Sequence, residues 1–63
     1  MKRMTIIKKG DYTGYSTLGI YEAIQNALDQ AGKYVRIEVV ETLASQGKSG
    51  HRQYKATLAI FDE

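Results

Sequence analysis

The chain has 63 residues, no Cys, one His and a formal net charge of +2 from nine basic and seven acidic residues. This length makes one domain at most, over residues 1–63, and the lack of Cys excludes disulfides and thiolate metal sites. The charge is milder than the basic stripe typical of nucleic-acid-binding domains. Small domains without disulfides or metals are commonly stabilised by oligomerisation, which we therefore expect here.

The first predicted element is a strand over residues 4–13. Lys2 and Arg3 make the start basic, but the apolar stretch that follows is too short for a signal peptide or a membrane span. We therefore expect a cytoplasmic protein. Gly14-Tyr15-Ser16 follows the strand, and Ser16 is predicted to cap the next helix with its hydroxyl, with Thr17 as a second candidate.

The second element is an amphipathic helix over residues 22–33, entered from the turn that precedes it. Its apolar stripe consists of Ile20, Ile24, Ala27 and Ala31, widened by Tyr21 and Leu28. Gly32 is the expected C-terminal stop, because glycine adopts a left-handed backbone at little cost. Lys33 is expected to lie favourably near the negative end of the helix.

Two more strands are predicted over residues 34–43 and 51–61, joined by a Gly-rich connection at 45–50. The simplest register places one apolar set under the helix: Val35, Ile37, Val39, Tyr54, Ala56, Leu58 and Ile60. The opposite face then carries Arg36, Glu38, Val40, Lys55, Thr57, Ala59 and Phe61. The prediction is an α+β fold of β-α-β-β order, with a three-stranded antiparallel sheet packed on one helix. Its mixed second face favours a subunit interface or a ligand-binding surface.

No catalytic or metal site is predicted. Glu38 and Glu41 are three positions apart, which places them on opposite faces of a regular strand. Glu38 is expected to pair with Lys55 across the hairpin instead. His51 has no evident partner for catalysis or metal binding. Among the tyrosines, Tyr21 and Tyr54 are predicted core residues, whereas the three near element ends are candidates for stacking: Tyr12, Tyr15 and Tyr34.

Several motifs in order resemble the dodecins, short β-α-β-β proteins that assemble as hollow dodecamers and hold flavins. These motifs are Gly14-Tyr15-Ser16, the helix Glu22-Ala23-Ile24-Gln25-x-Ala27-Leu28-x-x-Ala31-x-Lys33, Glu38-Val39-x-Glu41, and Tyr54 followed by Leu58. The resemblance covers roughly residues 8–61. It implies a homo-oligomer, a dodecamer in the family, that binds a flavin (FMN, FAD or riboflavin) between subunits without enzymatic turnover.

The chain differs from the family at two ring-contacting positions. The family's stacking Trp is replaced by Arg36, and the Gln that follows the last-strand Tyr is replaced by Lys55. A guanidinium stacks on aromatic rings but does not replace an electron-rich indole. Positive charge at both positions favours an anionic ligand. The predicted binding residues are Arg36, Glu38, Lys55 and Thr57, with Gln46 at the rim.

Two other functions remain open from the sequence. One is a small interaction or inhibitor module that docks another protein through its sheet, with a low-order assembly and no ligand. The other is a weak nucleic-acid binder that uses the exposed tyrosines and four basic residues, Lys2, Arg3, Lys8 and Lys9. Its affinity would fall steeply with salt. An enzyme is the class that the sequence supports least.

Overall fold

A computed structural model describes residues 5–48 and 50–63. The elements are β1 (Ile7–Ser16), α1 (Ile20–Ala31), β2 (Arg36–Gln46) and β3 (Arg52–Asp62). The central strand is β3, which pairs antiparallel with β1 on one side and with β2 on the other. The helix packs on one face of this sheet. The predicted α+β fold and its β-α-β-β order are confirmed.

The junction between β1 and α1 differs from the prediction. The strand runs on through Gly14 to Ser16, and the helix begins only at Ile20 with Gly19 at its N-cap. The hydroxyl of Ser16 accepts a hydrogen bond of 2.9 Å from the N–H of Leu18, so it tightens the turn instead of capping the helix. Ser16 as N-cap was wrong because a strand partner, Tyr54, holds it in the sheet. Lys2, Arg3 and Met4 lie outside the described residues.

The helix approaches the sheet closely along a stripe of small residues. Ala23, Ala27 and Ala31 recur every four positions and are almost completely buried. Gly14 lies against the first two of these alanines: an added Cβ there would overlap the carbonyl oxygen of Ala23 and lie 2.5 Å from the amide nitrogen of Ala27. Glycine at this position therefore permits backbone-to-backbone packing. Ala23 was missing from the predicted stripe.

The core is small and lies between α1 and the centre of the sheet. Its buried cluster is Ala27, Ala31, Leu58 and Ile60, with Tyr12, Ile24, Leu28 and Ile37 packed against it. Two tyrosine predictions were wrong. Tyr21 is 69% exposed, because the helix turns its alanine stripe toward the sheet, and Tyr12 packs against the core instead of lying exposed.

The helix lies over β1 and β3 and hardly touches β2. Its side chains also reach backbone carbonyl groups of β1. Gln30 Nε2 donates to the carbonyl of Thr13 at 2.8 Å, and Asn26 Nδ2 donates to that of Tyr15. Val39 lies on the predicted face, opposite Leu58. The prediction that the helix covers Val35 and Val39 was wrong, because α1 hardly reaches β2 and both residues are exposed.

The C-terminal end of the helix is held from β1. Gly32 has φ 71° and its N–H donates to the carbonyl of Leu28 at 3.2 Å, so the predicted stop is confirmed. A bulge between Lys8 and Gly10 interrupts the β1 register. At this bulge, Lys9 Nζ donates to the carbonyls of Ala31 (3.1 Å) and Lys33 (2.9 Å). A cation here complements the helix dipole.

The molecule is elongated, with extents of 57 × 16 × 14 Å and a radius of gyration of 14.2 Å. A compact domain of this length has a radius of gyration of about 11 Å. The long β2–β3 hairpin contributes to this elongation. The last residue pair between β1 and β3 is Ser16–Tyr54, whereas β2 and β3 remain paired as far as Gln46–Arg52. The hairpin end is therefore a two-stranded projection.

Candidate functional site

The candidate site is the helix-free face, by which we mean the face of the sheet opposite α1. Residues directly opposite each other in an antiparallel sheet share a face, so the register fixes its members. They are Lys8, Asp11, Thr13 and Tyr15 on β1; Arg36, Glu38, Glu41, Leu43 and Ser45 on β2; and Gln53, Lys55, Thr57, Ala59 and Phe61 on β3.

A bulge at Val40 decides which β2 residues belong to this face. Glu38 lies opposite Ala59, but Glu41 lies opposite Thr57, so one residue of β2 between them has no partner. Ala59 and Thr57 are two positions apart and share a face. Glu38 and Glu41 therefore lie on the same face, and the prediction of opposite faces was wrong because it assumed a regular strand.

The charges of this face are arranged as neighbouring pairs. Lys55 Nζ lies 3.8 Å from Glu41 Oε1, and Lys8 Nζ lies 3.1 Å from Asp11 Oδ1. Glu38 pairs with Arg36 and not, as predicted, with Lys55, because the bulge brings Glu41 next to Lys55. Each of these cations has a carboxylate beside it. The pairs therefore give the face no net charge, which favours a neutral ligand over the anionic one suggested by the residue types.

Arg36 presents a flat group that is held from two sides. Its guanidinium carbon lies 5.2 Å from the centroid of the Phe61 ring, its cross-strand neighbour, and Nη2 donates to the carboxylate of Glu38. A guanidinium in this position gains cation–π attraction as well as an ion pair. The result is a preoriented planar surface on which an aromatic ring can stack.

The predicted binding residues do not lie together: four of them form two groups on the helix-free face, and the fifth, Gln46, lies elsewhere. Arg36 and Glu38 lie at one end of the face, while Lys55 and Thr57 lie toward the other. Arg36 is level with Phe61, six residues from Lys55, so the two lie roughly 20 Å apart along the strand. Thr57 shares a 3.0 Å hydroxyl–hydroxyl hydrogen bond with Thr13.

Gln46 does not belong to this face. It lies opposite Arg52, and its register position is shared with Ala44 and Tyr54 on the helix side of the projecting hairpin. The predicted rim contact therefore lies on the other side of the sheet, because the bulge shifts the alternation of β2 by one residue.

The hairpin end of the helix-free face has a cavity that the sequence analysis did not predict. Tyr15, Lys55 and Leu43 form one cross-strand row. They line a shallow cavity of about 150 Å³ together with Gln53, Ser45, Ala44 and Tyr54. Tyr15 is 61% exposed, as predicted for a stacking candidate. Leu43 and Gln53 carried no sequence signal, since only the register brings them beside Tyr15 and Lys55.

Metal and membrane features are absent from the part of the chain that the structure describes. Within residues 5–48 and 50–63, no three His, Asp or Glu residues come together in the way that metal ligands do. No helix in these ranges is both long and apolar enough to cross a membrane.

Comparison with protein-family models, with curated proteins and with solved structures finds no match to this chain. The function is therefore argued from the residues and their geometry.

Proposed function

We propose that this chain forms a closed homo-oligomer that binds a small planar molecule between its subunits and does not transform it. The observation that carries this proposal is the uncovered second strand. Every residue of β2 except Ile37 is exposed, and the exposed residues include three large apolar ones, Val39, Val40 and Leu43. Exposed large apolar residues on an edge strand of so small a domain favour burial against a partner.

A second copy is the partner that best explains β2. The strand is at the edge of the sheet, and a long edge strand is a ready site for pairing with another chain. In contrast, side chains of α1 hydrogen-bond the backbone of β1, the other edge strand. A domain of this size gains stability most readily through assembly. The resemblance to dodecins suggests twelve subunits.

The ligand part of the proposal is supported by the platform of Arg36 on Phe61. A flat guanidinium that is already oriented loses little freedom when a ring stacks on it. The balanced charges of the helix-free face favour a neutral ring system. Flavin, in the form of FMN, FAD or riboflavin, is the ring that the resemblance implies.

The ligand would lie between subunits and not within one. The backbone positions of Arg36 and Lys55 in one chain lie roughly 20 Å apart along the sheet, which exceeds the width of a three-ring system. Contacts from both residues to one ring are therefore supplied more readily by different copies. The proposed ligand contacts are Arg36, Glu38, Lys55 and Thr57. We propose the cytoplasm as the location of the assembly.

Native mass spectrometry of the purified protein tests both parts of the proposal. We expect one ion of high order, with twelve subunits as the family-based value, and bound small molecules that denaturation releases for identification. An oligomer that stays empty when riboflavin is added would keep the assembly and overturn the ring-binding part. A monomer or dimer would overturn the assembly and favour a module whose β2 edge adds to the sheet of another protein.

A further inference from the structure

The projecting hairpin carries a second cavity, on the side of the sheet opposite the helix-free face. It has a volume of about 240 Å³ and is lined by Ala44, Ser45, Gln46, Arg52 and Tyr54. Two successive cross-strand pairs, Ala44–Tyr54 and Gln46–Arg52, form most of its wall. Ala44 has the smallest of these side chains and leaves room above the strand.

The polar groups of this cavity are hydrogen-bond donors. The guanidinium of Arg52 and the amide of Gln46 contribute N–H groups, and Tyr54 contributes a hydroxyl. A guanidinium has a planar fork of donors that matches the two oxygens of a carboxylate or a phosphate. Such a set of side chains suits an oxyanion.

The positive charge around the cavity also favours an oxyanion. The sequence has no Asp or Glu between Glu41 and Asp62, whereas Lys48, Arg52 and Lys55 fall in that interval. Arg36 and Lys55 each have a carboxylate partner. In the described part of the chain, no carboxylate lies within ion-pair distance of Arg52. Its charge is therefore available to a ligand.

We propose that this hairpin cavity binds the oxyanion group of a small molecule, a phosphate or a carboxylate, with Arg52 as the principal contact. Gln46 and the hydroxyl of Tyr54 add hydrogen bonds on either side. The cavity is on the opposite side of the sheet from the ring platform at Arg36. The proposal is therefore independent of ring binding.

Two probes distinguish the sources of the oxyanion. Phosphorus NMR relaxation follows the binding of inorganic phosphate, and saturation-transfer NMR follows acetate, both at constant ionic strength so that screening does not change. Saturable binding of either probe is expected. Tighter binding of phosphate would assign a phosphorylated ligand, and tighter binding of acetate would assign a carboxylate.

Matched variants locate the site. Arg52→Gln removes the fork and is expected to weaken binding about tenfold or more, the loss typical of a charge-assisted hydrogen bond. Lys48→Gln removes the same charge from the same hairpin but does not touch the cavity, so it is expected to change affinity less than about twofold. Tyr54→Phe removes only a hydroxyl, so its loss of affinity is expected to lie between those of the other two variants.

Two results would overturn the proposal. One is the absence of saturable binding of both probes to the unaltered protein. The other is an equal loss in Arg52→Gln and Lys48→Gln, which would mean diffuse attraction by the basic hairpin and no defined site. Circular dichroism of each variant shows that the comparison is made between folded proteins.

Discussion

Gly14 of β1 lies against the backbone of Ala23 in α1, with no side chain between them. A Cβ at Gly14 would overlap the Ala23 carbonyl oxygen and approach the amide nitrogen of Ala27 to 2.5 Å. Both obstacles are helix backbone, which cannot turn aside as a side chain would. This contact sets the height of the helix above the sheet.

Gly14→Ala is therefore expected to destabilise the protein by about 1–3 kcal/mol or more, since the helix must move away from a packed interface. Urea unfolding at one fixed protein concentration measures this. Gly19→Ser is the control, because no atom lies within 4 Å of an added Cβ there and serine is a good N-cap residue. Equal stability of both variants would mean that the helix does not lie this close to β1.

Lys9→Met is expected to lower the free energy of unfolding by about 1 kcal/mol, because it removes a cation that bonds to carbonyl groups at the end of the helix. Lys8→Met is the matched control at the neighbouring position. Lys8 makes only an exposed ion pair with Asp11, and its loss should cost about 0–0.5 kcal/mol. Urea unfolding of both variants measures the two losses of stability. A larger loss in Lys8→Met than in Lys9→Met would contradict the contact assigned to Lys9.

Val39→Lys is expected to reduce the order of the assembly, because it places a charge on the exposed apolar strand that we propose is buried between subunits. Light scattering coupled to size-exclusion chromatography gives the molar mass in solution. Glu22→Lys, which places the same side chain at an exposed position of α1, serves as the control and should leave the mass unchanged. An unchanged mass for Val39→Lys as well would exclude this strand from the interface.

Arg36→Ala is expected to abolish ring binding, since it removes the planar group stacked on Phe61. Arg36→Lys keeps the charge but loses the plane, and we expect an affinity at least about tenfold lower. Lys8→Ala is the control, because Lys8 is also paired with Phe61 across the strands yet makes its ion pair with Asp11. Flavin fluorescence quenching on binding follows all three, and full affinity in Arg36→Ala would remove Arg36 from the site.

The sequence predicted the order of the elements because the relevant signals are local. Alternation of apolar residues on β3 and the four-residue spacing on α1 each arise from neighbours along the chain. Gly32 was predicted correctly for the same reason. The two bulges, at Lys9 and Val40, were not predicted, since a bulge depends on how one strand meets another.

The candidate site shows the same division. The choice of Arg36, Glu38, Lys55 and Thr57 as one face came from alternation, and the register confirms their shared face. Gln46 was placed wrongly because the bulge at Val40 reverses the alternation beyond it. The partner of each charge also depended on this bulge, which puts Glu41 and not Glu38 beside Lys55.

By itself, then, the sequence determined that this chain has a β-α-β-β fold with an apolar face on β3 and an amphipathic helix, because periodicity is written into neighbouring residues. Only the tertiary structure decided where the helix lies. Gly14 and the alanines opposite it draw α1 toward β1 and leave β2 uncovered. That choice depends on backbone approach between segments distant in sequence, which no local pattern encodes.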